Sequence, residues 1–351
     1  MDRTRQQRRA SMADVARMAG VSTQTVSRYF TGVGYVREAT RERITSAIDE
    51  LGYRPNQAAR NLRSRRSNSI GVLLVGALNY GAVGVISGLS EAARQAGMML
   101  PISHIDLDYE GRNWQSEAQR AVEHFLSAQV DGIIASTVVP GIDDFLSSEA
   151  WASPMLTISE IARSDRASIS MHSYAAGLLA TRHLVAQGHR RIVHLAGPQT
   201  RNEAVERERG YRDAMAEAEL APEVVHGALD WDAAAGRAAA SRVDPASFTG
   251  VVAANDEIAL GFMSHLARRG LFAPTDYSIV GVDDMPEAEY FWPPLTTVRL
   301  DFPRLGREAF EMMRRMIETG ERGTHIDLEP ELIVRESTAA PTPKAGASLD
   351  G

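Results

Sequence analysis

The chain has 351 residues, 44% hydrophobic and 24% charged, a length for two or three domains and a composition ordinary for a globular protein. It has no cysteine, which excludes disulfides, thiolate metal sites and cysteine nucleophiles and fits a cytoplasmic location; no apolar run approaches the roughly 18–20 residues that cross a bilayer, so no membrane partner is expected. The net charge of −7 is unevenly spread, because residues 1–68 hold 14 arginines against 6 acidic residues. A basic head on an acidic body predicts a polyanion as the partner of the head, since neutralising phosphates releases counterions.

In chain order, Ser11-Met12-Ala13-Asp14 is a capping box in front of a short helix that places Met12, Val15, Ala16 and Ala19 on one face. Gly20 ends it, and Ser22 caps a second helix over Thr23 to Phe30. A third helix, about Ala39 to Leu51, turns Ile44, Ala47, Ile48 and Leu51 inward. Two short helices joined by a tight turn form a helix-turn-helix, whose second helix lies in the major groove. That puts Thr23, Gln24 and Arg28 outward and Val26 inward, with glutamine suited to adenine and arginine to guanine. A three-helix bundle with those side chains merely solvated is the plainer alternative. Pro55 to Arg66 then favours a short helix, although it is far below the roughly 12–15 residues that an isolated helix needs. A flexible basic linker is its alternative.

From residue 69 on, apolar strands alternate with amphipathic helices, which predicts parallel α/β layers. Strands are expected over Ile70–Val75, Met98–His104, Gly132–Ser136, Met155–Ile158, Ile192–Leu195, Val251–Ala253 and Ser278–Val282. Helices are expected over Gly84–Ala96, Trp114–Ala128, Tyr174–Gln187, Val205–Glu217, Ala233–Arg242, Glu257–Arg269 and Leu305–Glu318. Such sheets bind ligands beyond the carboxyl ends of their strands. Residues 339–351 are rich in Ala, Pro, Gly and Ser and predict a disordered tail.

Two sets of motifs carry a resemblance. Met12-Ala13-Asp14-Val15-Ala16, Ala19-Gly20-Val21-Ser22, Gln24-Thr25-Val26-Ser27-Arg28 and Leu51-Gly52-Tyr53-Arg54-Pro55-Asn56 resemble the head of the lactose/galactose repressor family. Leu195-Ala196-Gly197-Pro198, Ala254-Asn255-Asp256-Glu257, Gly281-Val282-Asp283-Asp284 and Pro293-Pro294-Leu295-Thr296-Thr297 resemble its sensor domain. Arg37 departs from the pattern, standing where a capping serine is usual. The resemblance implies an all-α helix-turn-helix head (1–54), a hinge helix and linker (55–68), and an α/β periplasmic-binding-protein-like effector domain (69–338). It divides that domain into an N-subdomain (about 69–172 and 301–329) and a C-subdomain (about 173–300 and 330–338), two parallel-sheet halves. It also implies a homodimer that binds a double-stranded DNA operator and is controlled by a small-molecule sugar effector.

By the same resemblance, DNA is met by Thr23, Gln24, Ser27, Arg28 and Tyr53 in the head and by Asn56, Ala59, Leu62 and Arg63 in the hinge. Leu62 would be the minor-groove wedge. The effector would meet Arg207, Trp231, Asn255 and Asp283, residues that grip sugar hydroxyls and cover an apolar ring face. Arg207 with Asp283 also reads as a structural ion pair, Asn255 as a turn former, and Trp231 as core. Asn79, Tyr80 and Ser159 complete the expected cleft, with Glu160 beside Ser159. The expected effector is a galactoside or another neutral saccharide, and the alternative is a corepressor-type regulator sensing a purine or phosphorylated metabolite.

A sugar-processing enzyme with a borrowed regulatory head has no motif behind it. The chain lacks a G-x-S-x-G elbow, an H-E-x-x-H pair and a phosphate loop, so neither catalysis nor a cofactor is expected. Asp106, Asp108, Glu110 and Gly111 with Glu117 approach a calcium loop, but a strand rather than a helix precedes them, and no metal is expected.

Overall fold

The computed structural model describes residues 10–54, 66–105, 114–139, 141–148, 151, 153–162, 166–321 and 323–342. The chain divides into two compact units, Met1–Ser67 and Asn68–Gly351. Asn56, Ala59, Leu62 and Arg63 of the expected hinge, Asp106 to Gly111 of the calcium-like loop, and the tail from residue 343 lie outside the described residues.

The first unit is built from α1 (Met12–Met18), α2 (Thr23–Thr31) and α3 (Glu38–Leu51). The capping box forms as the sequence predicts: the Asp14 N–H donates to Ser11 Oγ at 3.3 Å, and the Ser11 N–H donates to Asp14 Oδ2 at 2.9 Å. Ser22 Oγ accepts from the Thr25 N–H at 3.2 Å at the start of α2. By contrast, Arg37 offers α3 no side-chain cap. Val15, Val26 and Ile44 are fully buried where the helices meet, each contributing about 1.5–3 kcal/mol by leaving water.

In the second unit one sheet joins β1 (Ile70–Val75), β2 (Ile102–Ile105), β3 (Gly132–Ser136), β4 (Met155–Ile158), β5 (Ala167–Ser170) and β11 (His325–Asp327). Its order is β11-β5-β4-β3-β1-β2, and every pairing is parallel. The other sheet joins β6 (Ile192–Leu195), β7 (Glu223–Val225), β8 (Gly250–Ala253), β9 (Ser278–Asp283), β10 (Thr296–Arg299) and β12 (Glu331–Ile333). Its order, β12-β10-β9-β8-β6-β7, repeats the first, with only β12 antiparallel. Helices cover both faces, which is why β1 and β9 are buried along their whole length. The chain passes between the sheets three times: from β5 to β6, from β10 to β11, and from β11 to β12.

Three helix pairs pack backbone to backbone: α4 (Tyr80–Ala96) with α11 (Phe302–Thr319), α7 (Ser173–Ala186) with α8 (Asn202–Glu217), and α9 (Ala233–Ala240) with α10 (Asp256–Ala267). Each crossing has a glycine on both helices. A Cβ on Gly177 would overlap the Arg207 carbonyl oxygen, and one on Gly210 would overlap that of Tyr174. The remaining helices are α5 (Trp114–Ser127) and α6 (Ile142–Ser148).

The structure differs from the sequence reading in several elements. Helix α4 starts four residues earlier than predicted, because Asn79 caps it: its Oδ1 accepts from the Ala82 N–H at 3.0 Å. Strands β5, β7, β10, β11 and β12 and helix α6 were not predicted. These strands run only three or four residues and exist through pairing with a neighbour, which no local pattern reveals. The expected tail is corrected at its start. Ala339 is anchored, its carbonyl accepting from Ser278 Oγ at 2.9 Å and its N–H donating to the same oxygen at 3.0 Å.

Candidate functional site

The carboxyl ends of β1, β3 and β4 face those of β6, β8 and β9 across a cavity of about 420 Å³ within the second unit. All seven residues expected to meet an effector border it: Asn79, Tyr80, Ser159, Arg207, Trp231, Asn255 and Asp283. Loops after strand ends converge there because a doubly wound sheet leaves a crevice where its strand order reverses.

Arg207 is held at the centre of one wall. Its Nη1 donates to the Ala254 carbonyl at 2.6 Å and its Nη2 to Asp283 Oδ1 at 3.3 Å, and its guanidinium lies 5.1 Å from the Trp231 ring centroid. Arg207, Trp231, Asn255 and Asp283 are all buried. Burial pushes the Asp283 carboxyl up to about 6, against the pull of Arg207. Asp283 sits at a φ of +115°, a conformation that ordinary side chains avoid. The next residue secures the turn, since Asp284 takes Arg299 at 2.7 Å and Arg335 at 2.6 Å. Backbone strain stabilised from outside at a cleft is a mark of a functional position.

The two readings of Asn255 are both present, because its Oδ1 caps α10 through the Ile258 N–H at 2.8 Å while its Nδ2 donates to the Trp231 carbonyl at 2.9 Å. Ser159 borders the cavity, but its hydroxyl is engaged by α6 and by its own loop. It donates to Asp143 Oδ2 at 2.9 Å and accepts from the Ile161 N–H at 3.0 Å. Tyr80 meets Phe302 edge to face at 5.9 Å on the opposite wall.

Several cleft residues were missed from the sequence: Arg201, Asn202, Glu203, Ser173 and Phe302. Three of them sit at the start of α8, directly after the Gly197-Pro198 turn that follows β6. The loop-after-strand rule was a sufficient signal for these, whereas Phe302 arrives only through the second chain crossing. Asn202 ties the two walls together, its N–H donating to the Val138 carbonyl at 2.9 Å and its Nδ2 to the Thr137 carbonyl at 3.0 Å. Burial pushes the Glu203 carboxyl up to about 7, and Glu160 adds to the effect. Glu160 is itself raised by burial, and its Oε2 accepts from the Ser173 N–H at 2.8 Å. In all, the cavity is bordered by six carboxylates and two arginines.

In the head, Thr23, Gln24 and Arg28 are exposed along α2, and Ser27 is half-buried. Tyr53 is only 7% exposed and packs on Phe30 with ring centroids 5.9 Å apart, so its ring belongs to the core of the head. Among the described residues no group of three or more His, Cys, Asp or Glu is placed to hold a metal ion, and no helix is long and apolar enough to cross a membrane.

A helix-turn-helix head carried in one chain with a two-sheet body around a polar cleft defines a class, the ligand-responsive DNA-binding regulators. Comparison with known proteins places the chain within it. Residues 11–56 match the family described as bacterial regulatory proteins, lacI family, and residues 181–338 match a periplasmic binding protein-like domain. The HTH-type transcriptional repressor PurR of Vibrio campbellii is 33% identical over 334 residues, covering 93% of this chain and 98% of that protein. The lac repressor dimer bound to operator and the anti-inducer ONPF superposes with a TM-score of 0.83 at 28% identity, covering 95% of this chain and 100% of that one. The complex of transcriptional regulator CelR with cellobiose aligns at a TM-score of 0.66 and 27% identity, over 94% of this chain and 100% of that one. The protein belongs to the lacI family of DNA-binding transcriptional regulators.

Proposed function

We propose that the protein is a homodimeric repressor that binds a pseudo-palindromic operator and is released from it by a small saccharide in the cleft. The observation that carries this is the cavity itself. Its volume falls in the range of small-molecule sites, and Arg207, Trp231, Asn255 and Asp283 all border it, with the Arg207 guanidinium 5.1 Å from the Trp231 ring centroid. An arginine fork, an amide and a carboxylate suit vicinal hydroxyls, and an indole suits the C–H face of a sugar ring. The two heads would read half-sites through Thr23, Gln24 and Arg28, while Leu62 of each hinge opens the central minor groove. Effector and operator then favour different arrangements of the body, which couples the two sites.

A purine corepressor is the second reading. The PurR relatives support it by similarity, and Tyr80, Phe302 and Trp231 supply aromatic surface at the cleft. A phosphorylated ligand suits the cleft poorly, because six carboxylates against two arginines repel an anion.

The experiment is thermal shift of the full chain with monosaccharides, disaccharides, nucleobases and sugar phosphates, followed by operator binding with each ligand that responds. A ligand at about 100 times its Kd adds roughly 2.7 kcal/mol to the native state. A saccharide that stabilises the body, loses its effect in Asp283→Ala and weakens operator binding supports the reading. A nucleobase that strengthens operator binding overturns it in favour of corepression.

A further inference from the structure

The cleft has an excess of negative charge that a neutral sugar leaves unanswered. Arg207 is already committed to Asp283 and the Ala254 carbonyl. Glu203 borders the cavity with its Oε2 closed to solvent and without a hydrogen-bond partner. Glu160 borders the same cavity from the loop after β4, and its charge adds to the upward push on Glu203. Donors are also left over: Trp231 Nε1 and Arg207 Nε have no partners, in residues at most 5% exposed.

These two sets of groups ask for different things from one ligand. The donors need acceptors, which sugar hydroxyl and ring oxygens provide. Two buried carboxyls on one cavity favour a donor that carries positive charge, because a cation stabilises the ionised form that burial disfavours. We infer that the cleft is built for an aminated saccharide, whose hydroxyls meet the Trp231 and Arg207 donors and whose protonated amine lies between Glu160 and Glu203. An ammonium offers three donors in a compact group, enough to reach both carboxylates and one further acceptor. The rim carboxylates Asp230, Asp232 and Glu257 draw the same cation inward and turn anions away.

This inference rests on the saccharide reading of the cleft and narrows it to a ligand class. The test uses calorimetry on the full chain with galactose, galactosamine and galactose 6-phosphate, and with the corresponding glucose set. The aminated member of a set should bind about tenfold tighter than its neutral parent, the gain of one charge-assisted hydrogen bond, and the phosphate should bind weakest. Glu203→Gln, which keeps the side-chain shape, should erase the advantage of the amine over its neutral parent. Thermal melting of that variant shows that it is folded. Neutral parents that bind as tightly as the amines, amines that do not bind, or an advantage that survives in both Glu203→Gln and Glu160→Gln would each overturn the inference. The saccharide reading itself fails separately, if no sugar of either set binds.

Discussion

Gly177 of α7 and Arg207 of α8 touch through their backbones, so that a Cβ on Gly177 would overlap the Arg207 carbonyl oxygen. The depth at which Arg207 sits in the cleft wall is therefore set by a residue that does not border the cavity. Gly177→Ala should push the two helices apart, costing about 1–3 kcal/mol of stability as an overpacked contact. Urea unfolding of the full chain measures the cost, and calorimetry should show weaker ligand binding in parallel. Unchanged stability and unchanged binding together would show that the crossing relaxes without moving Arg207.

The cleft carboxylates predict an inverse pH dependence. Glu203 is pushed up to about 7 and Asp283 up to about 6. Both values lie above the unfolded ones, near 4.3 for Glu and 3.9 for Asp. Between the unfolded and folded values the native state holds protons that the unfolded chain has released. The stability contributed by these groups is thus present at the acid end and lost as pH rises through about 6 to 7. Glu203→Gln removes its share of this loss. The variant should exceed the parent by up to about 3 kcal/mol above neutral pH, with the difference shrinking toward about pH 5. A difference that stays flat with pH in urea titrations would show that Glu203 is not the titrating group.

Arg37 leaves the first turn of α3 without a side-chain cap, although α1 and α2 are both capped by serines. Arg37→Ser should stabilise the head by about 1 kcal/mol. Hydrogen exchange on the full chain should then show slower exchange across α3. No slowing would mean that a serine there does not take up the capping geometry.

Arg28 is exposed on α2, the helix that a helix-turn-helix lays in the major groove. With operator sequences selected from a random pool, Arg28→Ala should relax preference at one position of each half-site, at a cost of about 1–3 kcal/mol for the preferred base. A uniform loss over all sequences would instead make Arg28 a phosphate contact.

Much of the head was legible because its signals are local. Ser11 and Asp14 lie three residues apart, and helical spacing alone turned Val15 and Val26 inward. Tyr53 shows the limit of this, since its ring is buried against Phe30 by a contact 23 residues away in the chain. In the body, long apolar strands such as Ile70–Val75 stand out because both faces are covered. The short strand Ala167–Ser170 does not, because it is defined by β4 and β11 on either side of it.

By itself the sequence determined the class of the protein, the strand and helix alternation, and the seven residues that were expected in the cleft and border it. The alternation follows from periodicity and capping, and the class and most of the cleft residues from family resemblance, all carried by short stretches of chain. Only the tertiary structure decided the charge of the cleft, the commitment of Arg207 to Asp283, and the placing of Glu160 and Glu203 on one cavity. Arg207 and Asp283 meet on one wall from positions 76 residues apart, and Glu160 reaches the same cavity from the other sheet, so these groups come together only in the assembled fold. A carboxylate's hydration and its unlike or like neighbours are properties of that assembled space, and no stretch of sequence contains them.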